Sequence, residues 1–269
     1  MKTSEIQENA KIEVTDLYVS YDETVILENI TFDTEQGERI AVVGPNGAGK
    51  STLFKTIVGL IPFQKGKIYI HGLPLGHHQD CVAYIPQREE VDWTFPVTVF
   101  DVVMMGRYNK QQRFKIPSKT DYQIVIKTLK ELDIQKISES PLNDLSGGQQ
   151  QRVFIARSLA QEPHILLMDE PFNGVDISTK ETIWSLLDNL KTLNVTVMVA
   201  THDLNMAAQH FDRILLLNKK LISFGSIDTV FSQENLSSTF GSQVMFLNGT
   251  VIVDQCCPPQ SEDKKQKNS

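Results

Sequence analysis

Arg39-Ile40-Ala41-Val42-Val43-Gly44-Pro45-Asn46-Gly47-Ala48-Gly49-Lys50-Ser51-Thr52 decides the fold class. Ile40 to Val43 is a short, fully apolar run rich in β-branched residues, the pattern of a strand buried on both faces of a parallel sheet. Gly44 to Ser51 then matches G-x-x-x-x-G-K-[ST]. In that setting the glycines let the backbone curl so that its N–H groups point at phosphate oxygens. Leu53 to Ile57 can form the next helix, whose positive N-terminal end adds to the phosphate site. Lys50 is placed to meet β and γ phosphates, the Ser51 hydroxyl can ligate Mg²⁺, and the whole contact stretch runs from Gly44 to Thr52. Strand, loop and helix agree, so a glycine-rich turn that binds nothing is the weaker reading.

Working outward, Ile165 to Met168 and Val195 to Ala200 are two more strand-sized apolar runs. A helix lies between them: Ser178 and Glu181 form a capping-box pattern, followed by Ile183, Leu186, Leu187 and Leu190 at helical spacing. Strand, helix, strand implies an α/β fold with parallel strands. The stretch from about 98 to 159 reads as mostly helical. Thr98 with Asp101 can start a first helix that Gly106 stops, and Asp121 to Leu132 and Gln149 to Ala160 are a second and a third. The expected organisation is therefore a mobile end over 1–11, one phosphate-loop domain over 12–246 with a helical insert at about 98–159, and a tail over 247–269.

Composition narrows the function classes. Across 269 residues, 26 basic and 33 acidic side chains give a net charge of -7, which repels a nucleic-acid backbone and argues against a nucleic-acid partner. No apolar run approaches the roughly 18 to 20 residues of a membrane-crossing helix. Met1 to Lys11 is polar, with Glu5 and Glu8 where a signal peptide would be apolar. Cys81, Cys256 and Cys257 are too few and wrongly spaced for a disulfide framework or a four-ligand zinc site, and reduced thiols in cytosol fit them best. His71, His77 and His78 fall in a loop-like stretch, and sequence neighbours project in different directions, so these and Cys256-Cys257 read as surface positions rather than a metal sensor.

Two further segments carry chemistry. Asp169 and Glu170 follow the strand Ile165 to Met168, at the carboxyl end where α/β sheets bind ligands. Asp169 would hold Mg²⁺ and Glu170 would polarise a water for in-line attack on a γ-phosphate. On its own such a pair is more often a helix-start feature; beside the phosphate loop the functional reading is the stronger. Leu145-Ser146-Gly147-Gly148-Gln149-Gln150-Gln151-Arg152 sets a serine and two glycines ahead of an apolar-periodic helix, a second helix N-terminus that can hold phosphate or simply be capped.

This last segment resembles the LSGGQ signature of ABC-type ATPases. The resemblance covers about Ile12 to Phe240 and implies a P-loop (RecA-like) core with an N-terminal antiparallel β part and an inserted helical subdomain. It implies ATP hydrolysis with Mg²⁺ in a head-to-tail homodimer, where Leu145, Ser146, Gly147, Gly148 and Gln149 close over the partner's nucleotide. Gln87 resembles the Q-loop glutamine that touches Mg²⁺ or the attacking water. Asp176, in Phe172-Asn173-Gly174-Val175-Asp176, resembles the D-loop aspartate, although Ser-Ala-Leu-Asp is the more usual sequence. His202 resembles the switch histidine, and Tyr21 the aromatic that stacks on adenine, with Tyr18 as the fallback. A single cassette without coiled coil or membrane domain resembles an importer subunit at the cytoplasmic face of the membrane. Such a subunit docks on separate permease subunits and acts indirectly with a metal-binding solute-binding protein. Pro86 to Tyr108 resembles ATPases of manganese, iron and zinc importers; Val91, Trp93 and Phe95 beside Arg88, Glu89 and Glu90 could form an apolar anchor for the permease or pack the insert on the core. Siderophore or cobalamin import, and a soluble non-transport ATPase, are the alternatives.

Overall fold

The computed structural model describes residues 11–77, 81–87, 96–108, 116–241, 244–247 and 250–253, the last two stretches as backbone strands alone. Arg88 to Phe95, His78, Cys256, Cys257 and residues 1–10 therefore lie outside the described residues.

The chain opens with β1 (Ile12–Tyr21) and β2 (Thr24–Asp33), an antiparallel pair turned at Asp22. Buried Ile12 and Val14 are followed by buried Leu17 and Val19, a one-residue slip that would flip the strand. A register shift between Val14 and Leu17 absorbs it, with Asp16 at φ 47°. Then come β3 (Arg39–Val43), α1 (Lys50–Ile57), β4 (Lys65–Ile70), β5 (Leu73–Pro74) and β6 (Val82–Ile85). Three helices follow, α2 (Val99–Met105), α3 (Lys119–Glu131) and α4 (Gly147–Leu159). After them run β7 (Ile165–Asp169), α5 (Ile177–Thr192), β8 (Thr196–Thr201), α6 (Leu204–His210), β9 (Arg213–Asn218) and β10 (Lys220–Gly225). The described chain closes with α7 (Ile227–Val230), α8 (Gln233–Phe240), β11 (Val244–Leu247) and β12 (Thr250–Val253).

Two sheets organise these elements. One is antiparallel, in the order β2-β1-β4-β5; the other runs β10-β9-β3-β8-β7-β6, parallel except at the β10 edge. Every residue of β7 and β8 is buried, the apolar runs Ile165–Met168 and Val197–Ala200 and, at the strand ends, Asp169, Thr196 and Thr201. Successive side chains feed opposite cores. Leu166, Met168, Val197 and Val199 pack with α2, α3, α4 and α5, whereas Ile165, Leu167, Met198 and Ala200 pack with α1 and the antiparallel sheet. A third cluster joins Ala41 and Val43 to α6, α7 and α8. The helical stretch between β6 and β7 thus shares its core with one face of the parallel sheet.

Helix starts follow local chemistry. Thr98 with Asp101, Ser118 with Asp121 and Ser146 with Gln149 each form a reciprocal capping box. Helix α5 departs from expectation, because Asp176 caps it and Ser178 lies inside the first turn. A carboxylate two residues earlier accepts from the Thr179 N–H at 2.8 Å and so fixes the start. Gly106 also ends α2 for another reason. Its φ of -62° is right-handed, but a Cβ there would lie 2.1 Å from the Arg157 carbonyl oxygen, so glycine permits α2 and α4 to touch. Strands β11 and β12 pair antiparallel, Leu247 opposite Thr250, and carry regular structure across the boundary expected at 246.

Candidate nucleotide site

Strands β3, β8 and β7 are neighbours and parallel, so the loops after them leave the sheet on one edge. After β3 comes Gly44 to Gly49. A Cβ on Gly44 would meet the Leu217 carbonyl oxygen at 2.1 Å, and Gly49, at φ 99°, lies where a Cβ would meet Leu27 at 2.5 Å. Only glycine fits either position without displacing backbone or core. The loop therefore sits pressed into the molecule with Asn46 and Gly47 outward. Ser51 and Thr52 follow, half-buried, in the first turn of α1.

Lys50 is 5% exposed and donates to the carbonyls of Gly44 at 2.7 Å and Pro45 at 3.1 Å. Its Nζ lies 3.8 Å from Glu170 Oε1. Burial pushes this ammonium down, against the carboxylates of Glu170 and Asp169, which hold it charged. A largely desolvated cation beside backbone donors at a helix N-terminus is a receptor for phosphate oxygens.

Glu170 directly follows β7 in a left-handed conformation, φ 48°, which costs a non-glycine residue of order 1–3 kcal/mol. Its N–H donates to the Ala200 carbonyl at 3.1 Å, and the Asn173 N–H donates to its own carbonyl at 3.1 Å, so the turn is tied at both ends. The side chain is nearly enclosed. His202 Nδ1 lies 3.5 Å from Oε2, and the Asn173 amide donates to the same oxygen at 3.4 Å. The His202 hydrogen bond holds this carboxyl below the usual glutamate range despite burial, with Lys50 adding to the effect. Reciprocally, the Glu170 carboxylate pushes His202 above the usual histidine value. Cation, carboxylate and imidazole therefore converge from three loops into one charged cluster, able to bind a phosphoryl group and to present an ionised base.

Asp169, at the end of β7, is completely buried and accepts from the Tyr84 hydroxyl at 3.3 Å on Oδ2. Gln87 leaves β6 on the same edge, since Ile85 pairs with Met168. The Ser51 hydroxyl, the Asp169 carboxylate and the Gln87 amide are all hard oxygen donors, the chemistry Mg²⁺ prefers. Tyr21 ends β1 and is 48% exposed, free to stack, whereas the Lys65 ammonium covers the Tyr18 ring at 4.9 Å.

The 145–149 segment enters α4. Ser146 is exposed, its hydroxyl accepting from the Gln149 N–H while the Gln149 side chain accepts from the Ser146 N–H. Gly148 is buried against the start of α5: a Cβ there would meet Thr179 Oγ1 at 2.4 Å and Asp176 Oδ2 at 2.5 Å. Asp176 is thus engaged within its own chain as a helix cap, a role its place in a loop motif did not disclose. Leu145 and Gly147 flank Ser146, half-buried. Sequence reading also missed Tyr84 and Asn173. Asn173 had one local signal, its spacing three residues after Glu170 ahead of Gly174 at φ 65°; Tyr84 had none, because its partner comes from the adjacent strand. Away from this edge, His71 meets Cys81 and His164 rather than His77.

Residues 27–173 match the ABC transporter family. The chain is 42% identical over 243 residues to the manganese transport system ATP-binding protein MntB of Bacillus subtilis, covering 90% of this chain and 97% of the relative. It is 43% identical to the chelated iron transport system membrane protein YfeB of Yersinia pestis, over 85% of this chain and 78% of that one. A solved ATP binding subunit of an ABC transporter superposes with a TM-score of 0.72 at 26% identity, over 84% of this chain and 93% of the other. Among the described residues no helix is long and apolar enough to cross a membrane. A phosphate-loop cassette with this spread of similarity over its length belongs to the ABC transporter family, as an ATP-binding subunit.

Proposed function

We propose that this chain hydrolyses ATP to drive uptake of a divalent metal ion, manganese or iron first and zinc next, as the motor subunit of an importer. The observation that carries the reading is the Lys50–Glu170–His202 cluster at the mouth of the phosphate loop, taken with transport relatives that align over nearly the whole chain. In this reading Gly44 to Thr52 wraps the phosphates and Lys50 exchanges its loop carbonyls for β and γ oxygens. Tyr21 stacks on adenine. Glu170, ionised and hydrogen-bonded, orients and deprotonates the attacking water, while His202 contacts the γ-phosphate. Ser51, Asp169 and Gln87 would hold Mg²⁺, which supplies positive charge to the triphosphate.

Ser146 is exposed at the α4 N-terminus between half-buried Leu145 and Gly147, suited to closing on the nucleotide of a second copy. ATP would then favour the closed homodimer through its higher affinity for that state, and hydrolysis would reopen it. Motion would pass to separate permease subunits at the cytoplasmic face of the membrane, with cargo delivered by a solute-binding protein. A strain lacking this chain should lose Mn²⁺ or Fe²⁺ uptake and regain it with the intact chain but not with Lys50→Ala. Undiminished uptake of manganese, iron and zinc would sink the proposal. A chelated-iron cargo is the second reading, favoured by the YfeB similarity, and loss of chelate uptake alone would select it.

A further inference from the structure

At the opposite end of the parallel strands from the nucleotide cluster, three side chains from distant parts of the sequence converge. His71 follows β4, Cys81 precedes β6 and His164 precedes β7. One ligand atom of each lies within 4.8 Å of the other two, and all three residues are half-buried. His164 Nδ1 and His71 Nε2 form a hydrogen bond of 3.4 Å, one ring donating and the other accepting, with the rings edge to face. A shared metal ion would replace that bond, the proton moving to the donor ring's other nitrogen. Two nitrogens each bonded at 2.0–2.1 Å to a tetrahedral zinc would be separated by about 3.3–3.4 Å. The imidazole pair therefore already has the edge length of a zinc tetrahedron. The Cys81 sulfur lies within 4.8 Å of both nitrogens and would have to draw closer to them to reach the third corner.

The backbone fixes this arrangement. The His164 N–H donates to the Cys81 carbonyl at 2.9 Å, locking the two strand entries together. The His71 N–H donates to the Lys11 carbonyl at 3.1 Å, and His71 takes the left-handed conformation, φ 54°, that turns the chain from β4 toward β5.

We propose that His71 Nε2, His164 Nδ1 and Cys81 Sγ form a binding site for Zn²⁺, distinct from the Mg²⁺-nucleotide site. Two imidazoles and a thiolate are borderline-to-soft ligands. They select zinc, and among first-row ions they disfavour manganese, which binds weakest to such a set. On binding, the Cys81 thiol gives its proton to solvent as the sulfur–zinc bond forms, and both histidines coordinate as neutral rings. Water would take a fourth position, and partial exposure of all three residues supplies an entry path. The ion would staple the antiparallel sheet, through His71, to the entries of β6 and β7. These strands lead to Gln87 and to Asp169-Glu170, so the site lies one strand length, about 15–20 Å, from the nucleotide edge.

The test uses the full chain with Cys256→Ser and Cys257→Ser, reduced, stripped of metal and free of nucleotide. Calorimetric titration with Zn²⁺ alone should give one ion per chain and raise the thermal midpoint, and excess Mn²⁺ should not displace it. Cys81→Ser, His164→Gln and His71→Asn, the last chosen because asparagine tolerates a left-handed backbone, should each weaken binding by tenfold or more. Asp169→Asn should leave the stoichiometry unchanged. Co²⁺ bound to the chain with Cys81 intact should show a thiolate-to-cobalt charge-transfer band, which does not depend on any ligand variant folding. Absence of that band with Co²⁺ bound, absence of Zn²⁺ binding, or equal affinity in Cys81→Ser overturns the site.

Discussion

At the scale of single residues, Glu170 carries the most chemistry per atom. It stands in a strained backbone conformation, holds a carboxyl kept ionised by His202 and Lys50, and opens onto the phosphate loop. Replacing it by glutamine retains size and hydrogen bonding but removes the proposed base. Glu170→Gln should bind ATP normally and lose about 10²- to 10⁴-fold in turnover, measured by phosphate release beside a nucleotide-binding titration. The same variant tests the electrostatics. Since the carboxylate raises His202, its loss should lower the imidazole pKa toward the ordinary 6.5, observable by NMR titration of the ring. The signs fix the pH window of the pair. A raised His202 stabilises fully below 6.5 and loses that stability as pH rises through its folded value. A lowered Glu170 stabilises fully above 4.5 and loses it as pH falls through its folded value. Their joint contribution is therefore greatest between pH 4.5 and 6.5.

Among elements, contacts between helices matter more than propensity. Gly106 is the clearest case, because the atom a methyl group would strike is a backbone carbonyl that cannot rotate away. Gly106→Ala should push α2 off α4 and cost about 1–3 kcal/mol in urea unfolding, with the slope of the transition unchanged. Arg107, the next residue, bridges three pieces: Asp121 at 2.9 Å, Glu162 at 3.0 Å and the Ala160 carbonyl at 2.5 Å. The Ser118 hydrogen bond first, and Arg107 after it, hold Asp121 at about 2, so the α3 cap persists well into acid. Trp184 on α5 lies between Phe172, 4.3 Å away in the loop after Glu170, and His210, 4.1 Å away on α6. This aromatic pile sets the loop that bears Glu170 against the helix that follows His202.

For the whole molecule, the proposed closure of one copy on the nucleotide of another makes the prediction. Ser146 is exposed on the helical side, while Lys50, Glu170 and His202 face the nucleotide edge. Glu170→Gln with ATP and Mg²⁺ should sediment as a dimer and return to monomer when ATP is removed. Lys50→Ala should remain monomeric under both conditions. A monomeric Glu170→Gln protein saturated with ATP would contradict closure of one copy's Ser146 segment on the other's nucleotide.

Residues 39–52 carried the strand, loop and helix in their own order, because phosphate binding by backbone N–H groups needs glycines at fixed local spacings. The apolar runs of β7 and β8, and the helix starts at Thr98 and Ser146, were readable for the same reason: each depends on residues within a few positions of one another. Contacts across strands were not. That Tyr84 meets Asp169, that Gly148 lies against Asp176, and that His71, Cys81 and His164 share one corner follows from which strands lie side by side. Strand order is set by how the two faces of the parallel sheet bury their apolar side chains against different layers. That burial sums over the whole chain, so no short stretch of sequence contains it.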